Sequence, residues 1–501
     1  MKGRFGDLLR TLWAWWYWNA RKTIFVARGR TGRCPCQNNS DIGGTDGVRC
    51  DAVLFWKDPG RFGRRVCPLL TRNAKGDWIC RVPASEVRPF WGRVAIGHFG
   101  LVAVMILVGG LSAWGGMRAV GYRVSLRQIF WPRAWTELRQ VRADLFREKA
   151  LAALSAGRSR EAITALVVAR QINPGDYASG MMLAQLFHLV QPEAVDALYA
   201  QLLTNHPAQG KETARVWGRS MLARANMTGL AGLALARLEV EPEGVPAWTH
   251  ALITAARWTR NWNMLTAAID NAKLPAEARA VCALELRLRR ADPAGARSIL
   301  VAEPAPATPY AALHRVERLV EFQDSFEALD LLRTVRSVLA GRDVVRLTLA
   351  AHAVGHNRAR LERESGSLLQ AQGADAAAAV AIIAQHLIRF PDEALLERCR
   401  EAFGALPQGA VRDDAAAALF CAAALAGKID WLPEIRKQFS GQDEAGLLAQ
   451  QRIEERLRGK DWTPLFLLSV VRPVSADLNY AVIERMIAAR AAAPVPAPKT
   501  K

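Results

Sequence analysis

The chain of 501 residues is 51% hydrophobic, which excludes a disordered protein and provides apolar mass for several domains. Its formal charge is +20, but residues 1–93 hold 18 Lys and Arg against 7 Asp and Glu, so a net +11 sits there and only +9 remains for the other 408 residues. A continuous basic patch on a soluble domain, the footprint of a nucleic-acid binder, is not what this distribution describes, and nucleic acid is not an expected partner.

Near the N-terminus LLRTLWAWWYWNARKTIFVAR crowds Trp13, Trp15, Trp16, Tyr17 and Trp18 beside Arg10, Arg21 and Lys22. The segment is too short and too charged to span a bilayer. Tryptophan favours the headgroup region and arginine favours anionic lipid, so an amphipathic helix lying in the membrane plane is predicted. Ten of the sixteen tryptophans fall within residues 1–135, which supports lipid over RNA stacking as the reason for the aromatic and basic mixture.

Five of the eight cysteines follow: Cys34, Cys36, Cys50, Cys67 and Cys80. Their spacing is C-x-C and then gaps of thirteen, sixteen and twelve residues, without the paired C-x2-C knuckles of common zinc ribbons. In a reducing compartment persistent disulfides are disfavoured, which leaves a structural zinc site using four of the five thiols, or unligated thiols. Disulfides stay open if the arm faces an oxidising compartment. Gly43, Gly44 and Gly47 supply turns and little core, a setting in which a metal clip would help folding.

Residues 94–117, VAIGHFGLVAVMILVGGLSAWGGM, carry no Lys, Arg, Asp or Glu. As a helix they reach about 36 Å, enough for a hydrocarbon core of about 30 Å with some tilt. Phe90, Trp91 and Trp114 supply interfacial aromatics, with Arg93 and Arg118 at the ends. Lys and Arg near the two ends are nearly balanced. Translocating a net +11 arm with no preceding signal is unfavourable, so a signal anchor is expected, with a cytoplasmic N-terminus and an extracytoplasmic C-terminal part. Gly109 with Ala113, and Ser112 with Gly116, have the small-xxx-small spacing that admits a second helix, so a helix-mediated dimer is one expectation.

After a connector, 118–142, Ala143 to Asp176 reads ADLFREKALAALSAGRSREAITALVVARQINPGD. Phe146, Gly157, Ala162, Ala169 and Pro174 fall where the tetratricopeptide repeat places its aromatic, its turn, its two small residues and its terminal proline, and the segment resembles that family. Lys149 and Ala150 depart from it. Ser159 is expected to cap the second helix. Pro174, Pro207, Pro242 and Pro275 recur at intervals of 33, 35 and 33 residues, so the helical pattern continues over 143–301 with degenerate motifs. The resemblance implies an all-α solenoid of helix-turn-helix repeats. It also implies a protein-binding groove lined by Asp144, Arg147 and Leu151 in the first repeat and by Gln185 and His188 in the second.

AEPAPATP, 302–309, is expected to be a hinge, 310–490 a second helical half of unassigned register, and 491–501 a disordered tail. His352 and His356 stand four apart, a spacing that can bind zinc, but without a third ligand at a motif distance. Cys282, Cys399 and Cys421 each fall in an apolar helical context and read as buried small hydrophobes. No phosphate-loop, dinucleotide, zincin or nucleophile-elbow motif occurs. The leading expectation is a non-catalytic scaffold anchored in a bacterial inner membrane. The alternatives are a transmembrane regulator with a metal- or redox-responsive cysteine arm, and an enzyme on a repeat chassis, which would need a polar, concave cluster that the sequence does not display.

Overall fold

The computed structural model describes residues 2–37, 48–54, 64–65, 67–187, 191–304, 306, 308–407, 410–438, 455–459, 462–470 and 476–492. The described residues are all-α apart from one small sheet, and the chain separates into two compact units, Met1–Val141 and Arg142–Lys501.

In the first unit α1, Lys2–Ala27, lies beside α3, Trp91–Val120. Trp16 meets Trp91 edge to face, Trp91 Nε1 donates to Thr23 Oγ1 at 2.9 Å, and the Phe90 amide donates to Asn19 Oδ1 at 2.6 Å. Trp15 packs so closely on Gly97 that a Cβ there would stand 2.0 Å from its ring, so only glycine fits. Between the two helices the chain forms strands β1 (Val48–Arg49), β2 (Leu70–Arg72) and β3 (Trp78–Cys80), antiparallel in the order β1-β3-β2, and a single-turn helix α2, Asp51–Leu54. The register sets Cys80 opposite both Val48 and Leu70.

Among the described residues α3 is the one helix long and apolar enough to cross a membrane. It extends the 94–117 segment by about a turn at each end, because Trp91, Gly92 and Arg93 open it and left-handed Gly121 closes it with its amide on Arg118 and Met117 carbonyls. Helix α4, Leu126–Phe130, begins on a capping box from Ser125 and Gln128 and lays Phe130 on Gly110. Gly109 and Gly116 have open space around them.

Helix α5, Trp135–Ser155, leads into the second unit. From there α6 (Ser159–Ile172), α7 (Tyr177–Phe187), α8 (Pro192–Asn205), α9 (Gly210–Ala223), α10 (Met227–Val240), α11 (Val245–Thr259) and α12 (Asn263–Asp270) follow one another. They continue as α13 (Ala276–Arg290), α14 (Pro293–Ala302), α15 (Pro309–Glu321), α16 (Ser325–Val335), α17 (Gly341–Val354) and α18 (Arg358–Leu369). Next come α19 (Ala374–Arg389), α20 (Glu393–Gly404), α21 (Ala410–Leu425) and the short α22 (Leu432–Arg436). Alternate helices start at Tyr177, Gly210, Val245, Ala276, Pro309, Gly341, Ala374 and Ala410, intervals of 33, 35, 31, 33, 32, 33 and 36 residues. From α11 to α21 the first helix of each pair also packs on the first helix of the next. Two helices, α23 (Pro464–Val470) and α24 (Ala476–Ala492), end the described chain.

The turn inside a pair is left-handed at Gly157, Ala225, Arg260, Gln323, His356 and Gly427. Only the first and last are glycine. A side chain in this conformation costs about 1–2 kcal/mol, and the four middle turns keep the shape without glycine. The second helices are capped by Asn226, Asp292, Asp324, Asn357 and Asp392, each side chain accepting an amide in the first turn. Ser159 does not cap α6: it is the first helical residue, Arg158 occupies the cap position, and no side chain accepts there. Arg158 instead pairs with Glu161 at 2.8 Å.

Around 302–309, Arg315 donates to the carbonyls of Pro304 and Val301, and Thr308 caps α15. Cys282, on α13, and Tyr310, on α15, belong to one core that runs on to Ile483. His356 lies beyond the end of α17 in its left-handed turn, so the helical i,i+4 relation to His352 is broken.

Candidate functional site

Two places gather chemistry, one in each unit. In the first, Ala14, Trp18 and Lys22 lie one turn apart on α1 and face the sheet, and all three are buried. The C-x-C segment is held by the Cys34 amide donating to Gln37 Oε1, and the Asp51 amide donates to the Cys36 carbonyl. Cys50 follows β1, Cys67 precedes β2, and Cys80 ends β3. All five thiols are buried and free of covalent partners. Cys34 Sγ and Cys36 Sγ are in hydrogen-bond contact at 3.0 Å. Lys22 Nζ donates to Cys67 Sγ at 2.9 Å.

The sequence named these five residues as a set, and the fold brings all five into one core. Hydrogen bonds to Cys36 and Cys80, with burial, raise the Cys34 thiol. The bond to Cys34 pulls Cys36 down, but Cys50, Cys80 and burial together raise it. Hydrogen bonds from Cys34 and Cys36 hold Cys80 far below the ordinary thiol range. Burial opposes the charge of Lys22, yet Cys67, Cys36 and Cys34 outweigh it and raise its pKa. Among the described residues no three donors stand at coordination spacing. The Cys34–Cys36 separation of 3.0 Å is shorter than the about 3.8 Å between sulfurs on a tetrahedral zinc with bonds of about 2.3 Å.

In the helical unit Asp144 and Arg147 pair at 2.8 Å, and Arg147 also meets Asp176 at 3.3 Å. Leu151 and Gln185 are exposed, and His188 lies outside the described residues. A larger polar assembly, absent from the sequence-based expectation, lies further along. Arg257 binds Glu484 at 2.6 Å and Glu321 at 2.9 Å. Glu285 takes Arg289 at 2.7 Å and His314 Nε2 at 3.0 Å, while Arg346 binds Glu317 at 2.8 Å. Arg318 pairs with Glu321. Burial pushes Glu285 up, but Arg318, Arg289 and the His314 hydrogen bond hold its carboxyl well below the usual range. Glu317 and Glu484 are likewise depressed by neighbouring arginines against burial. Burial pushes His386 down to about 4.

These side chains come mostly from first helices of successive pairs, and α24 lies among them. It packs on α9, α11 and α19. Asp477 pairs with Arg342 at 3.2 Å, Tyr480 meets His250 edge to face, and Arg485 donates to the Ile388 carbonyl at 2.9 Å. Between α24 and the pairs is a cavity of about 400 Å³ reached by Arg318, Arg346, Arg389, Glu317 and Gln385. The polar, concave cluster that an enzyme reading requires is thus present, with its charges paired to one another and to α24. A signal for it exists in the sequence: Arg257, Arg289 and Glu321, the pair Glu285 and Glu317, and the pair His314 and Arg346 each recur at 32 residues. No protein-family model matches the chain, and no curated protein is significantly similar to it.

Proposed function

We propose that this protein is a single-pass membrane scaffold whose helical unit is a tetratricopeptide-like solenoid that receives a helix of a partner protein, with no catalytic role. The observation that carries the reading is α24: a helix ending the chain is held by salt bridges and apolar contacts on the charged face built from α11 to α19, the way such grooves hold peptide ligands. The partner segment would be helical, with an acidic or aromatic group at the positions of Asp477, Tyr480 and Glu484, three and four residues apart.

For the membrane, α3 supplies the span and α1 an in-plane apolar face. Leu9, Trp13, Trp16 and Ile24, spaced at helical intervals, are exposed, Trp13 at 71%, while the opposite face is in the thiol core. The N-terminal arm is then cytoplasmic, the solenoid extracytoplasmic, and the open Gly109 and Ala113 face is available to a second copy. The experiment uses full-length protein in detergent and a labelled peptide of residues 476–492. Glu484→Arg, which opposes like charge to Arg257, should release α24 and raise affinity for the added wild-type peptide by at least about tenfold over the unaltered protein. Equal affinity for the two proteins would overturn the reading.

A further inference from the structure

The cavity of about 400 Å³ in the helical unit is the size of a small-molecule site, and α11, α15, α17, α19 and α24 form its walls. The carboxylates that line it are already engaged. Glu317 takes Arg346 at 2.8 Å, Asp343 takes the same guanidinium at 3.6 Å, Asp477 takes Arg342 at 3.2 Å, and Glu484 takes Arg257 at 2.6 Å. Arg318, also in the wall, is held by Glu321. Arg389 is the exception to this pairing. Its guanidinium lies over the Phe390 ring, 5.5 Å from the centroid, and among the described residues it has no hydrogen bond or ion pair. Burial pushes its pKa down even with Glu484 and Glu317 acting on it from a distance, so the charge is poorly compensated by the chain itself.

Three more side chains in the same wall have hydrogen-bonding capacity to spare. Tyr310 is 4% exposed, and its hydroxyl has no partner among the described residues. A buried O–H left unmade is costly, so one kept in a cavity wall points to an acceptor that enters the cavity. Gln385, equally buried, accepts from Arg342 Nη2 at 3.3 Å through its oxygen, which leaves its NH2 to donate. The buried His386 ring stacks on Phe390 and bonds to no described residue. The unused groups are thus a guanidinium, a phenol, an amide NH2 and an imidazole, with no carboxylate among them. Such a set calls for an acceptor-rich molecule of negative charge. Water can meet the phenol, but it brings no counter-charge to Arg389.

We propose that this cavity binds a small organic anion, a carboxylate or a phosphate ester, with its acidic group on Arg389 and its other acceptors on Tyr310, Gln385 and His386. The site is separate from the reading of α24 as a helix that a partner displaces. Four of its five walls are helices of the pairs, and Arg389, Tyr310, Gln385 and His386 all belong to those four.

The test uses full-length protein in detergent, with citrate and glucose 6-phosphate as probes, and with glucose and sodium chloride of equal ionic strength as controls. Calorimetric titration should show saturable binding of at least one of the two anions with a Kd of about 1 mM or tighter, and none of glucose. Which anion binds tells a carboxylate site from a phosphate site. Arg389→Gln should weaken binding by at least about tenfold, because it removes the charge that the acidic group meets. Tyr310→Phe should weaken it by about fivefold and leave the Tm of the anion-free protein no lower, since the hydroxyl it removes has no partner in the described chain. That unchanged Tm separates a lost contact from a lost fold. No saturable binding of either anion, glucose binding as well as its phosphate, or full-strength binding by Arg389→Gln would each overturn the proposal.

Discussion

In the first unit five sulfurs lie in a core of ten residues, with Lys22 buried beside them. In the helical unit the cysteines are scattered and apolar, and charge is buried instead: Arg257, Glu285, Glu317 and Arg318 are nearly inaccessible, yet each has partners of opposite sign. The difference follows from size. A long array of helices has apolar surface to spare and can bury a charged network whose members satisfy one another. A short segment of loops and a three-stranded sheet has too little apolar surface to do so.

The contrast can be tested by breaking each side. Removing Glu285 leaves Arg289, Arg318 and His314 without their shared anion. Glu285→Ala should cost about 3–5 kcal/mol in denaturant unfolding of the helical unit. Lys22→Ala removes the buried cation that donates to Cys67 and should destabilise the first unit by about 1–3 kcal/mol in denaturant unfolding, while the helical unit keeps its far-ultraviolet circular dichroism. Loss of both together would show that the units do not differ in this way.

Acid acts on the helical side in two stages. His386 is depressed to about 4, so its contribution is present above the unfolded histidine value of about 6.5 and is lost as pH falls between those two values. Glu285, Glu317 and Glu484 are depressed as well, so their contribution is present above the unfolded carboxylate value of about 4.3 and is lost only below it. Thermal unfolding from pH 7 to 3 should show a shallow fall and then a steep one. A flat profile would disprove the account.

Smaller changes sharpen the picture. Cys421→Ala should cost only about 1 kcal/mol in denaturant unfolding. Ala225→Gly, at a left-handed turn with φ 53°, should stabilise the unit by about 1 kcal/mol, read as a small rise in Tm.

The apolar segment 94–117, the five-cysteine set and the helical character of the described parts of 143–301 and 310–490 were legible in the sequence, because hydropathy, residue identity and 3.6-residue rhythm are local properties. The pairing of helices beyond residue 310 was not read, although Asn226, Asp292, Asp324, Asn357 and Asp392 mark the second helices at regular spacing. A cap is one polar residue among many until the turn it closes is known. The charged groove escaped for a related reason. Arg257 and Glu484 are 227 residues apart, and nothing along the chain says that the last helix returns to the eleventh.

Local chemistry by itself determined which segments are helical, which one is apolar enough for lipid, and which thiols belong together, since each follows from the side chains in a short window. Tertiary structure alone decided that Lys22 faces Cys67, that α24 occupies the face of α11 to α19, and that a lattice of buried arginines and glutamates closes on itself. Burying a charge is tolerable only when its partner is brought from elsewhere in the chain, and no short window contains that partner.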